Sequence, residues 1–62
     1  MTNFSDVTMQ KGNSIINFQF VFGLGSDMDV WEYTPKNYSN RKLVDDFSKR
    51  YHELEAQGYT EV

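Results

Sequence analysis

The clearest pattern along the chain is an alternation of side chains over residues 14–22. Ile16, Phe18, Phe20 and Phe22 recur at every second position. Because successive side chains of a strand point to opposite faces, these four share one face. The pattern therefore predicts a β-strand with one strongly apolar face.

A second strand is predicted directly after the first. Residues 23–27, with the sequence Gly-Leu-Gly-Ser-Asp, hold two glycines that accept positive φ and two short polar side chains that favour turns. The strand that follows runs from Met28 to Thr34 and stops at Pro35, which has no amide hydrogen for a ladder. The two strands are expected to form a β-hairpin.

A helix is predicted after the loop of residues 36–38. Ser39 or Asn40 can cap its start by accepting a hydrogen bond from an unpaired amide, and the helix runs to about Gln57. Its apolar stripe comprises Leu43, Val44, Phe47, Tyr51 and Leu54. The acid-before-base pairs four residues apart that support it are Asp45 with Lys49 and Asp46 with Arg50.

The two ends of the chain carry weaker patterns. Residues 1–13 show no sustained period and predict a loose arm or a short edge strand, so residues 14–62 are assigned to a single α+β domain. Gly58 is predicted to cap the helix, and residues 59–62 are long enough only for a short edge strand. The predicted fold is α+β with the order β-β-α-β: a hairpin, one amphipathic helix and a short final strand.

The length of the chain limits the stability that one core can provide. A domain of 62 residues rarely gains more than about 3–5 kcal/mol from a single hydrophobic core. The chain has no cysteine, so no disulfide constrains its unfolded state. Association of two copies enlarges the buried core, and we therefore expect a homodimer.

Charge and hydropathy narrow the classes of partner. The formal net charge is −3, which disfavours direct binding to nucleic acid, because such binding relies on lysine and arginine. The sequence shows neither a signal peptide nor an apolar run of the roughly 20 residues that span a bilayer. We therefore expect a cytoplasmic protein that binds no membrane.

The residue types that carry chemistry are sparse. His52 is the single histidine, lacks helical neighbours that would complete a metal site, and is interpreted as a solvated helix residue. The glycine pair of residues 23–25 leads into a strand, whereas phosphate-binding loops lead into a helix. Asp27 and Asp29 lack a second domain that would enclose them in a cleft. We expect no enzymatic activity, no metal and no cofactor.

Glu32 lies between Trp31 and Tyr33, two residue types that are frequent at binding surfaces. A period of two places Met28, Val30, Glu32 and Thr34 on one face of the strand, and Asp29, Trp31 and Tyr33 on the other. If Trp31 and Tyr33 pack under the helix, Glu32 is exposed. It is then either an ordinary polar residue on the solvated side or part of a binding or dimer surface.

The order of elements over residues 15–62 and the motif Trp31-Glu32-Tyr33 resemble the small acidic bacteriophage proteins that inhibit uracil-DNA glycosylase as dimeric DNA mimics. Members of that family carry an aromatic-Glu-Tyr motif on the second strand of a hairpin. The resemblance implies that Glu32 and two helix aromatics spaced by four residues serve the inhibitory surface. These two positions fall on Leu43, where the family has an aromatic residue, and on Phe47.

The resemblance further implies a dimer whose hydrophobic pocket receives the DNA-probing loop of the enzyme, while carboxylates replace DNA phosphates. The candidate phosphate substitutes are Asp27, Asp29, Glu32, Asp45 and Asp46. The candidate partner-binding residues are Glu32, Leu43, Phe47, Tyr33, Trp31, Asp29 and Asp46. A phage-encoded protein of this kind acts in the host cytoplasm.

The sequence therefore predicts a homodimeric inhibitor of host uracil-DNA glycosylase that occludes the DNA-binding groove. Two alternatives remain open. One is a small adaptor or regulatory module that binds a different host protein through an exposed, Phe-rich hairpin. The other is a purely structural dimer in which the acidic residues only maintain solubility.

Overall fold

The computed structural model of the chain describes residues 6–22 and 28–62. Its elements, in chain order, are strand β1 (Asp6–Lys11), strand β2 (Ser14–Phe22), strand β3 (Met28–Tyr33), a 3-10 turn (Tyr38–Asn40), strand β4 (Lys42–Val44), helix α1 (Phe47–Ala56) and strand β5 (Thr60–Glu61). The strands form an antiparallel sheet in the order β4-β3-β2-β1-β5. The predicted α+β class is confirmed, and β1 and β4 are added to the predicted order of elements.

The predicted hairpin is confirmed. Strand β2 has the predicted bounds, and β3 ends one residue before the predicted Thr34. Strand β3 pairs antiparallel along its whole length with residues 17–22 of β2, with Phe22 opposite Met28 at one end and Asn17 opposite Tyr33 at the other. The glycine-rich connection, residues 23–27, lies outside the described residues, and so does the candidate phosphate substitute Asp27.

The interpretation of the N-terminal region as a loose arm or an edge strand is wrong from Asp6 onward. Strand β1 lies inside the sheet, between β2 and β5. It is joined to β2 by a tight turn in which Gly12 has a φ of 59°. Met9, at 0 % exposure, is part of the core. The apolar positions Val7 and Met9 are too few to reveal a period, although they fix which face of β1 is buried.

The helix begins later than predicted, because its N-cap is Asp46 and not Ser39 or Asn40. Ser39 and Asn40 lie in the 3-10 turn, and α1 starts at Phe47 after Asp46, whose side chain accepts a hydrogen bond from the Lys49 amide at 3.1 Å. An acidic N-cap of this kind satisfies an amide that has no partner within the helix.

Within the described residues, no helix has the length and apolar character needed to cross a membrane.

The segment before the helix is a strand because its side chains complete the sheet. Val44 pairs with Val30 and packs against the core, while Leu43 pairs with Trp31 on the other face of the sheet. The predicted helical stripe is therefore wrong at Leu43 and Val44. The predicted pairs of Asp45 with Lys49 and of Asp46 with Arg50 are also wrong, since Asp45 precedes the helix and Asp46 caps it.

The predicted end of the helix is confirmed. Gly58 has a φ of 103°, the amide of Gly58 donates to Glu55 at 3.0 Å, and the amide of Tyr59 donates to Leu54 at 3.0 Å. These two bonds form a Schellman motif, which satisfies carbonyls left unpaired at the end of the helix. The chain then turns into β5, which pairs with β1 as the predicted short edge strand.

The core lies between α1 and one face of the sheet. Its buried residues are Met9, Phe18, Val30 and Leu54. The ring of Phe47 meets Phe18 and Phe20 edge to face, with centroids 5.0 and 4.9 Å apart. Such aromatic pairs stabilise a core by about 0.5–1.5 kcal/mol beyond their buried area.

Replacing Gly58 with Ala is expected to lower the free energy of unfolding by about 1 kcal/mol, because L residues disfavour positive φ. An added Cβ would lie 3.4 Å from Lys11 Cε, an ordinary contact, so backbone strain is the cause. Urea unfolding at one protein concentration measures the change. The control, Gln57→Ala, has a φ of −83° and should alter stability by less than about 0.5 kcal/mol. Equal stabilities of the two variants would contradict the assignment.

Candidate protein-binding surfaces

The structure shows which face of β3 the helix covers. Val30 is 6 % exposed and packs in the core beneath α1, and Glu32 lies on the same face. Trp31 and Tyr33 therefore lie on the face without the helix, so the condition under which Glu32 would lie on the exposed face is not met. Alternation along β3 separates the two sets of side chains but does not say which set is covered. The helix covers the face on which Val30 is paired with Phe20.

Glu32 forms a two-pronged ion pair with the helix. Its two carboxylate oxygens accept hydrogen bonds from Arg50 Nε at 2.7 Å and from Arg50 Nη2 at 3.0 Å. The side chains are 19 % and 32 % exposed for Glu32 and Arg50. Hydrogen bonding to Glu32 raises the pKa of Arg50 above its ordinary value. Both oxygens of Glu32 are thus engaged inside the chain, where they fasten α1 to β3.

The face of the sheet opposite α1 is called the open face. It comprises the side chains of Asp6, Thr8, Gln10, Ile15, Asn17, Gln19, Val21, Asp29, Trp31, Tyr33, Leu43 and Thr60. Four of the candidate partner-binding residues lie here: Asp29, Trp31, Tyr33 and Leu43. Leu43 is 53 % exposed, although it is a large apolar residue.

Two side chains from the 3-10 turn and the residue after it, Tyr38 and Arg41, lie against the open face. The guanidinium carbon of Arg41 lies 5.1 Å from the ring centroid of Trp31 and 4.8 Å from that of Tyr38. Tyr33 and Tyr38 meet edge to face at 4.8 Å. Partial burial raises the pKa of Tyr33, with smaller contributions from Asp6 and Tyr38. Sequence reasoning missed Tyr38 and Arg41, because they were assigned to a loop and a helix start.

A shallow groove lies beside the N-terminal half of α1 on the other side of the sheet. The Phe47 groove has a volume of about 360 Å³ and is lined by Val7, Phe47, Ser48, Tyr51, His52 and Glu61. The rings of Phe47 and Tyr51 are 5.7 Å apart. The Tyr51 hydroxyl donates to Glu61 at 2.9 Å, and this bond raises the pKa of Tyr51. The groove therefore has apolar walls and a polar rim.

Two carboxylates precede the groove along the chain. Asp46 caps the helix next to Phe47, and Asp45 is exposed between β4 and α1. Because a helix N-terminus carries a partial positive charge, both carboxylates lie where the helix favours them. The candidate residues Asp46 and Phe47 are thus neighbours at one site.

The seven candidate partner-binding residues do not form one surface. The pair Leu43 and Phe47, expected one helical turn apart, lies on opposite sides of the sheet, since Leu43 belongs to β4 and Phe47 to α1. Glu32 lies on the helix side of the sheet, where it is bound to Arg50, and it does not line the Phe47 groove. The structure thus divides the candidates between the open face and the Phe47 groove, with Glu32 inside the fold.

A third exposed apolar surface lies at the end of the β2-β3 hairpin. Phe22 is 53 % exposed and Met28 is 47 % exposed. The two residues are directly opposite in the ladder. Single exposed apolar residues are common on protein surfaces, whereas two adjacent ones form a small patch.

His52 is a solvated helix residue, as predicted. Its side chain is 72 % exposed, and Nδ1 lies 2.9 Å from a carboxylate oxygen of Glu55. Residues 6–22 and 28–62 contain no group of three or more potential metal ligands.

Comparisons with known protein families, with curated proteins and with solved structures find no match to this chain.

A double-mutant cycle tests the role of Glu32. Glu32→Gln and Arg50→Met each remove the ion pair, and each is expected to lower the free energy of unfolding by about 1 kcal/mol, because partly exposed charged bonds are weaker than buried ones. The double variant should cost less than the sum, with a coupling of about 1 kcal/mol. Urea unfolding of the four proteins measures it. Additive losses would show that the two side chains do not interact in solution.

Proposed function

We propose that this protein is a non-catalytic inhibitor of uracil-DNA glycosylase that acts as a dimeric DNA mimic, with the Phe47 groove as its contact surface. The sequence resemblance carried by Trp31-Glu32-Tyr33 and the net charge of −3 support this class of function, while Glu32 itself is bound to Arg50 and lies outside the proposed contact surface. The observation that carries the proposal is an apolar groove next to adjacent carboxylates.

The groove and the carboxylates are complementary to the kind of surface that a base-excising enzyme presents to DNA. Enzymes that excise bases flip the target nucleotide out of the stack and hold the phosphate backbone with positive charge. A protein that occupies such a site needs negative groups and a receptor for an apolar side chain. Asp45 and Asp46 provide the first, and the walls formed by Phe47 and Tyr51 provide the second.

The helix carries two aromatic residues four positions apart, although not at the positions expected from the sequence. Phe47 and Tyr51 both belong to α1 and both line the groove. The volume of about 360 Å³ falls within the range of roughly 300–1,000 Å³ that is typical of sites for small ligands. This volume accommodates an apolar side chain of a partner loop. In the proposed site, Tyr51 thus takes the place that the sequence assigned to Leu43.

The proposed mechanism is competitive occlusion, with no covalent step. Negative charge at Asp45 and Asp46 steers the protein toward a basic groove and raises the rate of association. Burial of an apolar side chain against Phe47 slows dissociation. Inhibition should therefore weaken with increasing salt through a slower association step.

A second candidate function is an adaptor that binds a different host protein through the hairpin end. The exposed, adjacent side chains of Phe22 and Met28 favour it. DNA distinguishes the two candidates, because a mimic is displaced from its enzyme by substrate DNA and an adaptor is not. In the purely structural alternative, changes at Asp45, Asp46 and Ser48 affect no interaction with an enzyme.

Removing the carboxylates should weaken inhibition. The double variant Asp45→Asn, Asp46→Asn retains the helix cap, because asparagine also caps well, and removes two negative charges. In an excision assay on a uracil-containing duplex with bacterial uracil-DNA glycosylase, we expect the half-inhibitory concentration to rise about tenfold at low salt.

The matched control for this experiment is Glu53→Gln. Glu53 lies on the same helix but faces Arg50, at 3.7 Å, and does not line the groove. Its removal should leave inhibition within about twofold of the wild type. Full excision activity at a large excess of the wild-type protein would exclude the proposed function.

Filling the groove should abolish the apolar contact without disturbing the core. Ser48 is exposed and lines the groove, so Ser48→Trp places a large side chain across it. We expect the half-inhibitory concentration to rise at least about tenfold, mainly through a faster dissociation rate. Lys49→Trp, on the exposed helix surface next to it, is the control. Equal inhibition by the two variants would place the contact elsewhere.

A further inference from the structure

Strand β2 extends beyond the end of its neighbour β3. The last pair of their ladder is Asn17 with Tyr33, so residues 14–16 of β2 have no strand partner on this side within the described part of the chain. On their other side the same residues pair with β1. A short open edge of the sheet therefore begins where β3 ends.

The chain leaves the sheet at this point in a turn that contains Pro35. The amide of Asn37 donates to the carbonyl of Thr34 at 3.0 Å, which closes a turn with proline at its second position. In the register of the ladder, residue 35 is the one that would lie opposite Ile15. Proline has no amide hydrogen and cannot donate to the Ile15 carbonyl. The fold thus leaves this position of the ladder unfilled.

The amide and the carbonyl of Ile15 both face the open edge. Ser14 pairs with Lys11 across the two-residue turn between β1 and β2, and such a closing pair directs its backbone groups toward each other. Successive residues of a strand direct these groups to opposite sides, so those of Ile15 point away from β1. Within residues 6–22 and 28–62, no backbone hydrogen bond fills this position. A donor and an acceptor are therefore available on the edge.

A groove lies along this edge. The Ile15 groove has a volume of about 340 Å³ and is lined by Asn13, Ser14, Ile15, Thr34, Pro35 and Lys36. The side chains of Ile15 and Pro35 give it apolar walls. Its volume falls within the range of roughly 300–1,000 Å³ that is typical of ligand sites. None of its lining residues lines the Phe47 groove, so the two grooves are separate sites.

The charge at the Ile15 groove is positive. Lys36 is the charged residue among those that line it, and this lysine forms no ion pair within the described residues. It belongs to a stretch, residues 34–44, that holds three basic residues and no acidic one. In a chain with a net charge of −3, this is a local reversal of sign. The groove is therefore complementary to an acidic partner.

We propose that the Ile15 groove binds an extended, acidic peptide segment of a partner protein. The segment continues the line of β3 and runs antiparallel to β2, so that one of its residues takes the place opposite Ile15. The Ile15 amide donates to the carbonyl of that residue, and the amide of that residue donates to the Ile15 carbonyl. Its side chain packs beside Ile15, and a neighbouring glutamate binds Lys36. This mode of recognition adds a strand to the edge of a sheet.

The backbone and the charge together favour this occupant over others. A small anion such as phosphate pairs with Lys36 but leaves the Ile15 carbonyl without a donor. A basic segment satisfies the backbone of Ile15 but is repelled by Lys36. An extended acidic segment satisfies both. The proposal does not depend on the proposed inhibition of uracil-DNA glycosylase, since that function uses the Phe47 groove.

NMR titration of the isotope-labelled full chain with a blocked pentapeptide tests the site. The acidic probe, acetyl-Thr-Glu-Val-Glu-Thr-amide, should shift the amide resonances of Ile15 and Lys36 and saturate with a dissociation constant on the order of 1 mM, because the contact is small. At saturation it should slow hydrogen exchange of the Ile15 amide at least about threefold. The Ser14 amide, which faces Lys11 in the turn, is the internal control and should keep its exchange rate.

Two altered peptides separate the backbone contact from the charge. Replacing both glutamates of the probe with lysine reverses its charge, and N-methylation of its valine removes the amide that reaches the Ile15 carbonyl. Each change should raise the dissociation constant at least about fivefold. In the protein, Lys36→Glu should reverse the preference between the acidic and the lysine peptide. The control Lys49→Glu makes the same charge change on α1 and should leave both constants within about twofold of the wild type.

The absence of a saturable shift at Ile15 up to about 10 mM of the acidic probe would overturn the proposal. Equal binding of the acidic and the lysine peptide would overturn it as well, and so would undiminished binding of the N-methylated peptide. A Lys36→Glu protein that keeps the wild-type preference would place the contact elsewhere. These titrations contain no uracil-DNA glycosylase, so their outcome is distinguishable from success or failure of the proposed inhibition.

Discussion

One helix of ten residues has to cover a sheet of five strands, and this constraint shapes the molecule. Such a helix is about 15 Å long, whereas five strands span about 20 Å across the sheet. It therefore covers only part of one face. The core forms where Leu54 and Phe47 meet Phe18, the Phe47 groove remains where the helix leaves β1 uncovered, and the other face is left open.

Glu32 shows how a polar residue becomes part of such a limited core. It lies at the margin of the helix-covered face, directly opposite Phe18 in the ladder, where a fully apolar side chain would extend the core. Arg50 reaches it from the helix and satisfies both of its oxygens. A charge pair at this margin fixes the direction of α1 across the strands, because its geometry is more specific than that of an apolar contact.

The elements with strong periodicity were predictable from the sequence. Alternation fixed β2 and β3, and the glycine at position 58 fixed the end of α1. Residues 42–44 were not predictable in this way, because the apolar pair Leu43 and Val44 fits a helical stripe as well as a strand. Tertiary pairing with β3 decided between them, and Asp46 then became the cap that sequence reasoning had assigned to Ser39 or Asn40.

The sequence predicted which residues are candidates for binding, but it did not predict which of them lie together on one surface. The sequence identified seven residues and placed Trp31 and Glu32 on opposite faces of β3, but a period of two cannot say which of these faces the helix covers. The expected helical pair of Leu43 and Phe47 does not share α1, because the helix begins at Phe47 and Leu43 belongs to β4. Tyr38 and Arg41 carried no periodic signal, since a 3-10 turn and a stacked arginine depend on contacts distant in sequence.

The pairing of β5 with β1 closes the longest loop that the sheet contains. The two strands are separated by about fifty residues along the chain, as the contact of Thr60 with Gln10 shows. The amide of Val62 completes this edge by donating to Thr8 at 3.0 Å. A contact between residues so far apart carries a large loop-closure entropy and slows folding. Until β5 pairs, the outer side of β1 presents unpaired backbone groups, to which a second unfolded chain can bind.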